Sequence, residues 1–269
     1  MNSLVNSDAV KIADRFLSAR RSAGALPDYP GEMPASLDAA YAVQDAAIAS
    51  WNRAVCGWKV GRVPPPLVEQ FAADRLAGPI FSSHTVSVDG APVAMPVFDK
   101  GFAAGEAEFL LRIGEAPAAG KGNFTLQEAA ELIDEVHVGI EIASSPLGAI
   151  NDLGPVAIVS DFGNNNGVVV GPAIENWRTS GFEDWTVRTL IDGVEVGTGS
   201  ASAFPDGAIG SARFLFELMA KRGIALERGQ WISTGAVTGV HITRPGREIE
   251  ARFDERLSVR CRLTAAQPE

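Results

Sequence analysis

Three glutamates carry the first chemical signal. Glu106 and Glu108 stand two residues apart in Gly105-Glu106-Ala107-Glu108-Phe109. In a strand, residues i and i+2 share a face, so this spacing sets two carboxylates side by side. Adjacent carboxylates repel unless a cation or solvent separates them. Glu141 follows in a run where Val136, Val138, Ile140 and Ile142 alternate with His137, Gly139 and Glu141. The apolar set must face a core, which leaves His137 and Glu141 on the opposite face. Three carboxylates offered from strands form a hard, oxygen-rich site of the kind Mg²⁺ or Mn²⁺ accepts, with positions left for water or substrate. Zinc would favour imidazole or thiolate ligands. The plain alternative for each glutamate is a solvated sheet face, because Asp and Glu are almost never fully buried without a partner.

Lys59 lies in Gly57-Trp58-Lys59-Val60-Gly61, a short apolar segment flanked by glycines. An ammonium drawn into such a place either loses its proton more easily or neutralises a bound carboxylate. Snorkelling over Trp58 to solvent is the alternative. Ser233-Thr234-Gly235-Ala236 offers hydroxyls and backbone N–H groups to an anion, or is simply a turn. Asp161-Phe162-Gly163-Asn164-Asn165-Asn166-Gly167 ends in Asn-Gly, which predicts hairpin-turn duty for the asparagines. The histidines His84, His137 and His241 show neither His-x-x-x-His nor Ser–His spacing, so a zincin or a triad hydrolase has no support.

The elements that must position these residues fall into two parts. Ser7 or Asp8 caps a predicted helix over residues 8–23, and Ser36 starts a second over 36–54, so residues 1–55 form an N-terminal helical region. From Cys56 onward, over residues 56–269, the pattern turns to short apolar runs of strand length punctuated by Gly and Pro. Strands are predicted at 86–88, 107–111, 136–142, 156–159, 167–170, 185–191, 230–233 and 247–253. Thr125-Leu126-Gln127-Glu128 is a capping box opening a helix to about residue 134, and a late helix over 210–222 stops at Gly223. Many strands, few helices and no regular βα alternation predict a β-rich α+β fold rather than a doubly wound sheet.

Composition narrows the class. A chain of 269 residues that is 46% hydrophobic can bury a sizeable core. Its net charge of −10 argues against nucleic acid, and the two basic pairs, Arg20-Arg21 and Lys221-Arg222, sit where the helix dipole favours cations. Cys56 and Cys261 are the only cysteines, too few and too far apart for a disulfide framework or a thiolate metal site. With no secretory pattern and no long apolar span, no membrane partner is expected and the reading is cytoplasmic.

Gly57-Trp58-Lys59-Val60-Gly61, Glu106-Ala107-Glu108-Phe109, His137-Val138-Gly139-Ile140-Glu141-Ile142, Ser160 to Gly167, and Ser233-Thr234-Gly235-Ala236 together resemble, in order and spacing, the 2-keto-4-pentenoate hydratase branch of the fumarylacetoacetate hydrolase family. That resemblance spans residues 36–259. It implies a mixed β-sandwich roll, like the fumarylacetoacetate hydrolase C-terminal domain, with N-terminal helices, in a homo-oligomer. It also implies a Mg²⁺ or Mn²⁺ centre on Glu106, Glu108 and Glu141, with Lys59 catalytic and Ser233, Thr234 and Gly235 binding a small 2-oxo (enol) acid. Asp161 is a further candidate, as is Asp74, the only acid near the position where the hydratases carry one. The implied activity is metal-dependent addition of water to a 2-hydroxy-2,4-dienoate, giving a 4-hydroxy-2-oxo acid in aromatic-compound catabolism. A 4-oxalocrotonate-type 2-oxo acid decarboxylase is the nearest rival, and a non-catalytic metabolite-binding protein is the rival of another class. Arg62-Val63-Pro64-Pro65-Pro66 departs from the family's usual Leu-Thr-Ser continuation.

Overall fold

A computed structural model describes residues 2–85 and 91–269, with side chains from residue 7 onward. The strand expected at 86–88 lies outside the described residues. The chain opens with α1 (Asn2–Arg21) and α2 (Leu37–Trp51). Ser36 caps α2 by accepting the Ala39 N–H. Then come β1 (Gly57–Arg62), α3 (Pro65–Phe71), β2 (Arg75–Ile80), β3 (Ser83–Thr85) and β4 (Val93–Val97). The long central pair is β5 (Phe102–Ile113) and β6 (Ile133–Ser145), joined through the short α4 (Leu126–Glu131). The predicted capping box opens α4, with Thr125 and Glu128 each bonding the other's backbone N–H. Next are α5 (Ile150–Leu153), α6 (Pro155–Ser160), β7 (Asn165–Ala173), β8 (Val187–Ile191) and β9 (Val194–Gly199). The chain ends with α7 (Gly207–Arg222), β10 (Trp231–Ser233), β11 (Glu248–Phe253) and β12 (Leu257–Ala265).

Among the described residues the strands form two sheets. The larger runs β2-β1-β10-β5-β6-β7-β3, and the smaller runs β4-β12-β11-β8-β9. One core fills the space between the sheets and reaches under α7, with Phe109, Val138, Ile249, Phe253 and Leu263 at its centre. A second seats α1 and α2 on the roll, through Phe16, Val43, Ala104, Ala143 and Ala157. Lys221 and Arg222, in the last turn of α7, pair with Asp38 and Asp45 of α2. The β-rich α+β architecture is the one predicted.

Two local expectations fail. Residues 156–159 are helical, not extended: Pro155 sits at the first turn of α6 after Gly154 at φ 86°, and the apolar run Val156-Ala157-Ile158-Val159 is short enough to suit a buried helix as well as a strand. The Asn-Gly at 166–167 makes no hairpin. Asn165, Asn166 and Gly167 begin β7, and the bend lies earlier, at Phe162 (φ 55°), Gly163 (φ 66°) and Asn164 (φ 64°).

Candidate functional site

β5 and β6 lie at the centre of the larger sheet and are antiparallel, with Glu106 directly opposite Glu141. Glu108 shares Glu106's face two residues on. One oxygen from each of the three carboxylates lies within 4.8 Å of the others. All three side chains are buried, with Glu108 and Glu141 at 0% exposure, so the solvated-face alternative is gone. β1 brings the fourth group. Lys59 pairs across to Ser233 of β10, and its Nζ lies 3.5 Å from Glu141 Oε2.

The surrounding backbone is shaped to admit that lysine. A Cβ on Gly163 would lie 3.0 Å from Lys59 Cδ, and one on Gly78 would collide with the Phe162 carbonyl at 2.1 Å. Glycines at these two places let the 161–164 bend lie across β1 and β2 and press on the lysine stem.

Glu108 and Glu141 each have one oriented and one open oxygen. Glu108 Oε2 accepts from Ser233 Oγ at 2.5 Å and from the Gly235 amide at 2.8 Å, while Oε1 has no hydrogen-bond partner. Glu141 Oε1 accepts from Asn165 Nδ2 at 2.8 Å, while Oε2 has only the ammonium at 3.5 Å. Burial, and then the charge of Glu141, push the Glu106 carboxyl up to about 8 against the pull of Lys59. Burial and the charges of Glu141 and Glu106 hold Glu108 well above the ordinary range. Burial alone would depress the Lys59 ammonium, but the charges of Glu141, Glu106 and Glu108 outweigh it and raise its pKa. Three buried carboxylates with two orphaned oxygens and a single ammonium are short of positive charge. Converging hard oxygen donors of this kind fit a divalent cation.

These shifts have a consequence for stability. Glu106 is neutral in both folded and unfolded chains below its ordinary pKa of 4.5, and it ionises in the folded chain only near 8. Protein stripped of divalent ions therefore loses stability as pH rises through that window, by up to about 5 kcal/mol from this group. Melting in EDTA from pH 5 to pH 9 should show a falling Tm, and a flat or rising Tm would contradict the assignment.

The other expected residues are placed as follows. Ser233 and Gly235 orient Glu108, and Gly235 also lines the cavity above the triad. Thr234 bonds backbone instead, its Oγ1 donating to the Phe109 carbonyl at 2.9 Å. Asp161 is buried but turned away from the triad, where Arg20 of α1 grips it with Nε–Oδ1 at 2.6 Å and Nη2–Oδ2 at 3.0 Å. Asp74 is half exposed, pairs with Arg75, and does not line the cavity. Its place at the end of the turn before β2 keeps it on the surface.

Three asparagines were missed: Asn164 and Asn165 because turn chemistry was their default, and Asn151 because nothing in its surroundings singled it out. Asn165 holds Glu141, whereas Asn151 and Asn164 bond each other at 3.2 Å and line the cavity. The position of Asn164 and Asn165 within and just after a Gly-containing bend that follows a buried helix is the signal that would have marked them. The cavity has a volume of about 440 Å³, with Lys59, Glu106 and Glu108 at its base. Val63, Pro64 and Pro65 form part of its rim, and this proline-rich stretch opens α3.

No family model and no curated protein sequence matches the chain. Solved structures do. The 4-oxalocrotonate decarboxylase of Pseudomonas putida G7, complexed with magnesium and adipate, superposes with a TM-score of 0.78 at 21% identity, over 96% of this chain and 97% of that one. The fumarylpyruvate hydrolase of Pseudomonas aeruginosa, in complex with Mn²⁺ and pyruvate, gives 0.56 at 15% identity over 78% and 89% of the two chains. The 2-hydroxyhepta-2,4-diene-1,7-dioate isomerase of Mycobacterium marinum gives 0.56 at 16% identity over 78% and 76%. No helix among the described residues is long and apolar enough to cross a membrane. What these likenesses establish is the fold: this chain has the β-rich α+β roll of the fumarylacetoacetate hydrolase family's solved members.

Proposed function

We propose that the protein is a divalent-metal-dependent lyase of a small 2-oxo acid, and that its reaction is decarboxylation of a 4-oxalocrotonate-type substrate. The observation that carries this reading is the proton inventory of the cavity. Outside the carboxylate triad, Lys59 is the one side chain among the described lining residues that can give or take a proton, since a guanidinium stays charged and the two asparagines do not titrate. Decarboxylation needs one protonation. Conjugate hydration needs a base for the water as well as a proton for the carbon chain. The likeness to the decarboxylase runs through nearly all of both chains, whereas the hydrolase and isomerase match over about four fifths of this one. Hydration, expected from the sequence motifs, is the second reading.

Glu106, Glu108 and Glu141 would hold Mg²⁺ or Mn²⁺, as the magnesium and manganese in the neighbouring structures also suggest. When bound, the ion supplies Lewis-acid polarisation of the oxygens of a 2-oxo acid. Ser233, Gly235 and Asn165 fix the two carboxylates they bond, so that the open oxygens point to one place. Lys59 holds a proton beside the triad. As the bond to the departing carboxylate breaks, its electron pair runs through the conjugated chain to the C2 oxygen, and Lys59 Nζ delivers the proton there. The products are CO₂ and a 2-hydroxy-2,4-dienoate.

The test is CO₂ release from 2-oxohex-3-enedioate with Mg²⁺ or Mn²⁺ and with EDTA, run alongside ultraviolet loss of 2-hydroxypenta-2,4-dienoate. Metal-dependent CO₂ release supports the proposal. Conversion of the dienoate to 4-hydroxy-2-oxopentanoate without CO₂ release favours the hydratase, and turnover of neither overturns both. Lys59→Met should lower the rate by roughly 10²- to 10⁴-fold, the usual contribution of a positioned general acid, while calorimetry shows cation affinity kept or raised, because a positive charge 3.5 Å from Glu141 is gone. Full turnover in that variant would remove Lys59 from the mechanism.

A further inference from the structure

Arg62 closes β1 three residues after Lys59 and borders the same cavity. Its guanidinium carbon lies 5.4 Å from the centroid of the Phe204 ring. That ring in turn stands against Gly235, where an added Cβ would meet Phe204 Cε2 at 3.6 Å. Gly235 is the residue whose amide holds Glu108. A continuous wall therefore runs from the carboxylate triad through Gly235 and Phe204 to an exposed guanidinium at the mouth.

The charge of that guanidinium has no counterpart. Among the described residues the Arg62 side chain makes no ion pair and no hydrogen bond, only the contact with Phe204. Nearby cations are satisfied: Arg75 pairs with Asp74, and Arg213 with Asp206. Arg62 also sits directly opposite Arg75 in the β1–β2 ladder, and like charges facing each other across strands destabilise a sheet. The chain carries 33 acidic residues against 23 basic ones, so unpaired arginine is not forced by a shortage of carboxylates. A guanidinium is the side chain best matched to a carboxylate, which it can bind through two parallel hydrogen bonds.

We infer that Arg62 is a specificity-determining residue that selects substrates with a second carboxylate at the end remote from the 2-oxo acid group. The inference rests on the reading that the triad end of the cavity takes the 2-oxo acid group. It adds the residue that would recognise the distal carboxylate of such a diacid and set it apart from a monoacid. Because Arg62 is exposed, the pair it forms is shared with water and screened by salt. It orients the distal carboxylate without holding it against loss as CO₂.

A matched pair of unreactive acids tests this by calorimetry on the Mg²⁺-loaded protein. 2-Oxohexanedioate and 2-oxohexanoate have the same chain length and differ only in a terminal carboxylate or methyl group. The wild type is expected to bind the diacid roughly fivefold to tenfold more tightly at low salt. Arg62→Gln should erase that preference, and Arg62→Lys should retain part of it. Equal affinities in the wild type, or a preference that survives in Arg62→Gln, would overturn the inference while leaving 2-oxo acid binding in place. Failure of both acids to bind would overturn the functional reading as well. An unchanged far-ultraviolet dichroism spectrum shows that each variant is folded.

Discussion

Glu106→Gln is expected to abolish divalent-cation binding at micromolar concentrations and to cut turnover by about a thousandfold, while making metal-free protein more stable. The two effects have opposite sign for one physical reason. Glu106 lies directly opposite Glu141 on the neighbouring strand, buried, with its carboxyl pushed up to about 8. Ionising it in the empty site works against burial and against a facing negative charge. Glutamine keeps the shape and removes that charge, so the Tm of the variant in EDTA should exceed that of the wild type at pH 8, and the two should converge near pH 5. The same substitution removes one of three ligands, and the Lewis-acid contribution that the ion makes, several kcal/mol, corresponds to about a thousandfold in rate. Calorimetry with Mn²⁺, melting curves at the two pH values and a turnover assay separate the three claims. Retained cation affinity would place the metal elsewhere, and a lower Tm at pH 8 would show that the carboxyl is not strained in the empty site.

Arg20→Met is expected to destabilise the fold by roughly 3–5 kcal/mol, read as a lowered urea midpoint. Arg20 is the residue through which α1 reaches the site. Its guanidinium holds Asp161 by two hydrogen bonds and also donates to Asn166 Oδ1 at 3.1 Å and to the Ser144 carbonyl at 3.2 Å. Both partners of the ion pair are buried, with side chains 3% and 1% exposed. Truncating one leaves the other as an uncompensated charge in a medium that cannot solvate it. For a domain of ordinary stability that is a large fraction of the total. Pairing Arg20→Met with Asp161→Asn should recover part of the loss, because the orphaned charge goes with it. The single variant should also turn over more slowly, since the segment it anchors presents Asn165 to Glu141. If the unfolding free energy obtained from the midpoint falls by less than about 1 kcal/mol, the ion pair is not what fastens α1 to the site.

Much of this was open to the sequence. Strand periodicity put Glu106 and Glu108 on one face and Glu141 on another strand, and the family resemblance of the ordered motifs implied the roll. The capping box at Thr125 and the glycine stop at Gly223 also stand where local rules put them, because such rules act over three or four residues. The wrong assignments came where local rules are degenerate. A four-residue apolar run does not distinguish a buried helix from a strand, and Asn-Gly marks a hairpin only when two strands are free to pair across it.

What the sequence determined by itself was a donor set: residue types able to bind a hard cation, with a lysine, on a β-rich scaffold. Tertiary structure alone decided that β5 and β6 pair in the register that faces Glu106 with Glu141, and that all three carboxylates are buried. It decided that Ser233 and Gly235 serve Glu108, that Asp161 is taken by Arg20, and that Arg62 is left unpaired at the cavity mouth. These outcomes depend on strand register and on contacts between residues far apart in the chain, 141 positions for Arg20 and Asp161. Spacing along the chain fixes which face a side chain takes. The partner it meets there is fixed by what the rest of the fold brings to the same face.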